Sequence, residues 1–121
     1  MKRLQEAMSK AGVRLRPHAK SHKCPEIALR QIKAGAIGIC CQKVSEAAVF
    51  VDAGVDDILI TNQLVGEQKV AHAIDLAKRA TIGVLVDHDD QLSAFARASA
   101  LRQIQIDVYI DVDVGMGRCG V

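Results

Sequence analysis

Apolar residues collect in five short runs along the chain: Val13–Arg16, Ile37–Cys41, Asp57–Thr61, Thr81–Val86 and Ile106–Val114. They recur every 20–25 residues. Ile58, Leu59 and Ile60, and the stretch from Ile82 to Val86, are continuously apolar, the pattern of strands covered on both faces. Between the runs the period lengthens to that of a helix. Pro25–Ala34 opens on proline and closes before Gly35. Ser45–Ala53 starts on a possible serine cap and stops at Gly54. Gly66–Ala80 gathers Val70, Ala73, Ile74 and Ala77 on one face. Asp89–Gln103 begins with the acidic residues that favour a helix N-terminus. A first helix, Lys2–Lys10, ends before Gly12. Strand and helix in alternation predict βαβ units and a parallel α/β sheet. Two layouts fit: an open doubly wound sheet, or consecutive units of a (β/α)8 barrel. No G-x-G-x-x-G follows the first run, which weakens the dinucleotide-binding form of the open sheet.

Composition narrows the function. The chain has 121 residues, about half of the roughly 250 in a closed barrel. Half of the residues are hydrophobic and 25% charged, which argues against a disordered chain. Phe50, Phe95 and Tyr109 are the aromatic residues, few for a module that stacks bases. The net charge of +2 is small for a nucleic-acid binder. No apolar run has the length of a membrane span, and the N-terminus lacks the apolar core of a signal peptide. Cys24, Cys40, Cys41 and Cys119 show no disulfide spacing. They read as reduced thiols, with Cys24 and Cys119 expected to be small buried hydrophobes rather than metal ligands or reactive thiols, and the expected location is cytoplasmic.

Chemistry gathers where strands end, since ligands of both layouts bind at strand C-termini. After the first run, Arg16, Lys20 and Lys23 fall within eight residues together with His18 and His22, and Arg14 lies just upstream. Such a loop suits a phosphate or carboxylate, or is simply solvated. A lysine among cations can lose its proton and form a Schiff base with a carbonyl or with pyridoxal phosphate. His18 and His22 match one zinc-site spacing, but no glutamate lies between them and Pro17 argues against a helix, so metal binding is not expected. In the last run Asp107, Tyr109, Asp111 and Asp113 alternate with Val108, Ile110, Val112 and Val114. Three carboxylates on one strand face need cations, water or a metal to be tolerated. Gly115, Gly117 and Gly120 then bracket Arg118, letting backbone approach a ligand while the guanidinium projects. Asn62 and Gln63 add uncharged donors at the same mouth.

These motifs resemble a known family. Arg-Pro-His-Ala-Lys-Ser-His-Lys (16–23) is similar to the cofactor-lysine motif of D-threonine aldolases and eukaryotic-type D-serine dehydratases. These stand with alanine racemase among the fold-type III pyridoxal-phosphate enzymes. Gly-Ile-Cys-Cys-Gln-Lys-Val-Ser-Glu-Ala (38–47), Ile-Leu-Ile-Thr-Asn (58–62) and Asp-Val-Gly-Met-Gly-Arg-Cys-Gly (113–120) extend the likeness over nearly the whole chain.

The resemblance implies a partial (β/α)8 TIM-type barrel whose first five strands lie here. It implies that Lys20 forms the internal aldimine with pyridoxal 5'-phosphate and that Arg118 lies near the cofactor's phenolic oxygen. Gln42, Asn62, His18 and His22 would line the pocket. Residues 1–121 would form an incomplete alanine-racemase-like domain, lacking the later barrel strands and a C-terminal β-domain. A divalent metal (Mn, Mg or Zn) is expected in the full-length enzyme, held by that β-domain. The implied activity is a lyase acting on D-β-hydroxy amino acids. It would cleave D-threonine to glycine and acetaldehyde, or dehydrate D-serine to pyruvate and ammonia. The expected partners are that small substrate and a second copy in a dimer, with no nucleic acid or membrane. The alternatives are an amino-acid racemase, a non-catalytic cofactor-binding protein of the same fold, an inactive fragment, or a binding module that uses the basic loop for an anion.

Overall fold

The computed structural model describes residues 2–121. The helices are α1 (Lys2–Lys10), α2 (Pro25–Lys33), α3 (Val44–Asp52), α4 (Glu67–Leu76) and α5 (Asp89–Arg102). The strands are β1 (Ile39–Cys41), β2 (Asp57–Ile60), β3 (Thr81–Val86) and β4 (Asp107–Ile110). All neighbours pair in parallel, in the order β1-β2-β3-β4. A doubly wound sheet reverses its strand order at a switch point. Among the described residues there is no reversal, so the sheet advances one unit at a time as a barrel wall does.

The helix ends follow local chemistry. Pro25 supplies a preset φ at the first position of α2, and Gly35 leaves the helix at φ +111°. In α5 the His88 ring accepts the Asp90 N–H at 3.1 Å, and Gln103 takes the left-handed conformation at φ +53°. The start of α3 departs from expectation. Its cap is Lys43 rather than Ser45, and the Glu46 carboxylate accepts the N–H groups of Gln42 (3.0 Å) and Lys43 (3.4 Å).

The sheet has two unlike faces. Ile39, Cys41, Ile58, Ile60, Ile82, Val84 and Val86 are buried in one cluster with Ala47, Phe50, Ala73, Ile74 and Phe95 of the helices. Cys40, Leu59, Leu85 and Tyr109 alternate onto the opposite face and stay half-buried or exposed. That face carries a built contact: the Tyr109 ring lies over Gly83, where a Cβ would stand 2.9 Å from it. The continuous apolar runs therefore read the helix face well and overstated the cover on the other. Burial pushes the Cys41 thiol up to about 12, and Cys40 also upward, as expected of unreactive thiols.

Two expected strands need correction. Val13–Arg16 is not a strand. Its neighbour β1 takes up pairing late, through Ile37 N–H to Leu15 C=O (3.0 Å), Cys40 N–H to Pro17 C=O (2.7 Å) and a parallel bridge between His18 and Cys40. Pro17 has no N–H to continue a ladder. The last run also ends early, at Ile110 instead of Val114. Beyond it the chain closes on itself, Val121 N–H to Asp111 C=O and Asp113 N–H to Val121 C=O, both 3.0 Å. The described residues thus hold four strands where five were expected. Ile110, Val112 and Val114 remain exposed along this edge.

Candidate active site

The C-terminal ends of β1, β2 and β3 and the loop after β4 make one rim. Lys20 stands on it in a 3-10 turn, Ala19–Ser21. Ala19 is buried beneath the turn, and its carbonyl accepts the N–H groups of His22 (3.2 Å) and Lys23 (2.8 Å). The turn is stitched to β1 by the Pro17 and His18 backbone contacts already described. The backbone of Lys20 is therefore held while its side chain is exposed.

His18 braces this turn from behind. Its Nδ1 accepts the Lys20 N–H at 3.2 Å, so in the neutral ring the proton sits on Nε2. Nε2–H then donates to Thr61 Oγ1 at 2.9 Å, and the Thr61 hydroxyl donates to the Cys41 carbonyl at 3.1 Å. Burial, and next the neighbouring Lys20 charge, hold the His18 pKa below the ordinary histidine value. His22 points elsewhere. Its Nδ1 accepts the Cys24 N–H at 3.1 Å, and its ring meets Phe50 edge-on with centroids 6.4 Å apart. Its Nε2 is buried and, among the described residues, has no partner. Both histidines thus spend Nδ1 on backbone, and they do not converge. Among the described residues no three His, Cys, Asp or Glu side chains gather as a metal site.

The loop's cations separate. Arg16 turns to the opposite rim and forms a two-pronged ion pair with Asp57, the first residue of β2. Lys23 pairs with Glu46 at 3.3 Å. Burial opposes ionisation of Glu46, but the Gln42 N–H, Lys23 and the Lys43 N–H together hold it below the usual carboxylate range. Among the described residues no hydrogen bond or ion pair engages the Lys20 amine.

The glycine loop completes the rim. The Asp113 carboxylate accepts the N–H groups of Gly117 (2.9 Å) and Gly115 (2.8 Å), which hold it below its ordinary pKa. Asp87, directly after β3, accepts the Gly120 N–H at 3.2 Å and the Gln91 amide at 2.9 Å. A Cβ at Gly120, where φ is +109°, would run into the backbone of Val112 and Asp113. Arg118 projects from this loop exposed and, among the described residues, unpaired. The expected row of carboxylates does not form. Asp111 takes the Gln63 amide at 2.8 Å across the end of β3, and Asp113 turns into the loop. Gln42 and Asn62 share a depression with Lys43, Ser45 and Lys69. A larger hollow of about 520 Å³, lined by Asp56, Thr81 and Asp107, lies at the opposite rim where the strands begin.

Thr61 and Asp87 were missed as rim residues, although each stands where a strand ends. An aspartate or threonine one step past an apolar run is the signal that was available.

Comparison with known proteins adds the rest. The family model "Alanine racemase, N-terminal domain" matches residues 1–121. A D-threonine aldolase of Arthrobacter sp. is 54% identical over 121 residues, covering 100% of this chain and 32% of the relative. A D-threo-3-hydroxyaspartate dehydratase of Delftia sp. (strain HT23) is 33% identical over 120 residues, covering 98% of this chain and 31% of the relative. The crystal structure of D-threonine aldolase from Filomicrobium marinum superposes with a TM-score of 0.97 at 48% identity, covering 99% of this chain and 32% of that one. The chain spans about a third of the length of these relatives.

Proposed function

Because the chain belongs to the alanine racemase N-terminal domain family, we propose that it supplies the lysine-bearing rim of a pyridoxal-phosphate-dependent lyase acting on D-β-hydroxy amino acids. One observation carries this reading: with Arg16 paired at the opposite rim and Lys23 paired to Glu46, Lys20 keeps, among the described residues, an unpaired amine on a fixed turn. The relatives that cover the chain end to end act on such substrates by name, one as an aldolase and one as a dehydratase.

The donor set fits the aldehyde and ring end of the cofactor. Lys20 would hold it through Nζ, and Arg118 would face its phenolic oxygen with fixed donors. Gln42 and Asn62 would line the same cavity. His18 would serve it through the turn it braces, and His22 through the backbone that follows, because their Nδ1 atoms already bond the Lys20 and Cys24 N–H groups. When bound, pyridoxal phosphate supplies an electron sink for the charge left on the substrate's α-carbon. Among the described residues Lys20 has no acidic partner, so its amine is left available to the cofactor's aldehyde. A divalent ion gripping the β-hydroxyl would use ligands other than a cluster among the described residues. A cytoplasmic location and a dimer go with this proposal; among the described residues no helix is long and apolar enough to cross a membrane.

The native polypeptide, given pyridoxal phosphate and D-threonine, is expected to release glycine and acetaldehyde and to leave L-threonine intact. Absence of any product from D-threonine, D-serine and D-3-hydroxyaspartate alike would contradict the reading.

A further inference from the structure

We infer that Thr61 and His18 form one positioning pair that sets the backbone of Lys20, with the Thr61 hydroxyl selecting the histidine tautomer that receives the Lys20 N–H. The inference rests on Lys20 being the cofactor lysine, and it adds a residue from a different βα unit to that site. Three contacts lie in series. The Lys20 N–H donates to His18 Nδ1, His18 Nε2–H donates to Thr61 Oγ1, and the Thr61 O–H donates to the Cys41 carbonyl. The Thr61 N–H also donates to that carbonyl at 2.8 Å, so the threonine is fixed from two sides.

Each member is directional. The hydroxyl has one proton, and the Cys41 carbonyl can only accept it. Its oxygen is left to accept from the ring, which forces the proton onto Nε2 and leaves Nδ1 as the acceptor. In the other tautomer, or in the charged ring, Nδ1–H would oppose the Lys20 N–H, donor to donor. The backbone on both sides of this contact is fixed as well, by Cys40 N–H to Pro17 C=O before it and by Lys23 N–H to Ala19 C=O after it. His18 thus ties the turn to the end of β2, a strand to which the turn's own backbone makes no hydrogen bond among the described residues. Neither residue needs to touch the substrate. Their part is to hold the lysine backbone steady while its exposed side chain works.

The test compares Thr61→Val, which keeps the shape and removes the hydroxyl, with Thr61→Ser, which restores it. In the native polypeptide without cofactor, Thr61→Val is expected to speed hydrogen exchange of the Lys20 amide about fivefold to tenfold, the worth of one hydrogen bond. The Val84 amide in the core should not change. Labelling of Lys20 by pyridoxal phosphate and borohydride should slow to a similar degree, and Thr61→Ser should recover both. Unchanged exchange at Lys20 in Thr61→Val would overturn the inference. So would a serine variant as fast as valine, or a matching rise at Val84, since these report packing rather than the hydroxyl. Should Thr61→Val fail to fold, His18→Leu against His18→Asn asks the same question. Asparagine can still accept an N–H two residues on and should stay slow, while leucine should not; equal exchange in the two variants contradicts the pair. If wild-type Lys20 takes no label, the cofactor reading falls, and the exchange measurements still judge the pair.

Discussion

Arg16 and Lys20 stand four residues apart in one loop and are used in opposite ways. Arg16 reaches down to the rim where the strands begin and closes on Asp57 with both prongs of its guanidinium. Other charges settle the same way toward that end, Arg79 on Asp52 at 2.8 Å and Arg102 on Asp75 at 3.6 Å. Lys20 stays at the rim where the strands end, with its backbone tied and its amine free. Among the described residues Arg118 is left unpaired there too. The difference shows how to tell structural cations from chemical ones in a single loop. A charge that finds its partner inside the fold contributes to stability, and one left unpaired on a braced backbone is available to a ligand.

Breaking the upper rim should have the largest effect on function. Lys20→Ala is expected to lower product formation by at least about a thousandfold, since it removes the nucleophile itself. Its melting temperature should stay near wild type, because the lost side chain is exposed. An assay paired with a thermal melt checks both halves. Asp57→Ala should invert that outcome. It strands Arg16, whose side chain is only 20% exposed, and is expected to cost about 1–3 kcal/mol in a denaturant titration. Its labelling of Lys20 by pyridoxal phosphate should remain at the wild-type rate.

Arg118→Ala should weaken retention of the cofactor about tenfold, by loss of one charge-assisted contact, without moving the denaturation midpoint; equilibrium dialysis measures it. The smallest effect concerns pH. His18 is held below its ordinary 6.5 by burial and then by Lys20. Above 6.5 the ring is neutral in both states and contributes no pH dependence. As pH falls through 6.5 the unfolded chain takes up the proton first, so stability falls until the lower folded pKa is reached. Denaturation midpoints of wild type and His18→Asn should therefore diverge in slope below 6.5 and run parallel above it.

The strand–helix rhythm made the fold legible. Ile58–Ile60 and Ile82–Val86 are apolar enough to mark strands buried on their helix side, and Pro25 and Gly35 bracket a helix plainly. The failures have local causes. Val13–Arg16 lacked a way to continue its ladder at Pro17, and the alternation past Ile110 was broken by Asp113 turning to Gly115 and Gly117. Lys20 and Arg118 stand out as site candidates because their types and glycine or proline neighbours are local signals. The division of labour between Arg16, Lys23 and Lys20 was not. It depends on Asp57 and Glu46, residues that the sequence places 41 and 23 positions from their partners. Thr61 escaped for the same reason, since its partner His18 is 43 residues away.

The central claim is that one particular amine bonds the cofactor. The direct measurement is to load the native polypeptide with pyridoxal phosphate, reduce it with borohydride, and map the modified peptide by mass spectrometry. A single modified lysine, Lys20, is expected. Modification of Lys23 or Lys43 with Lys20 unmodified would contradict it.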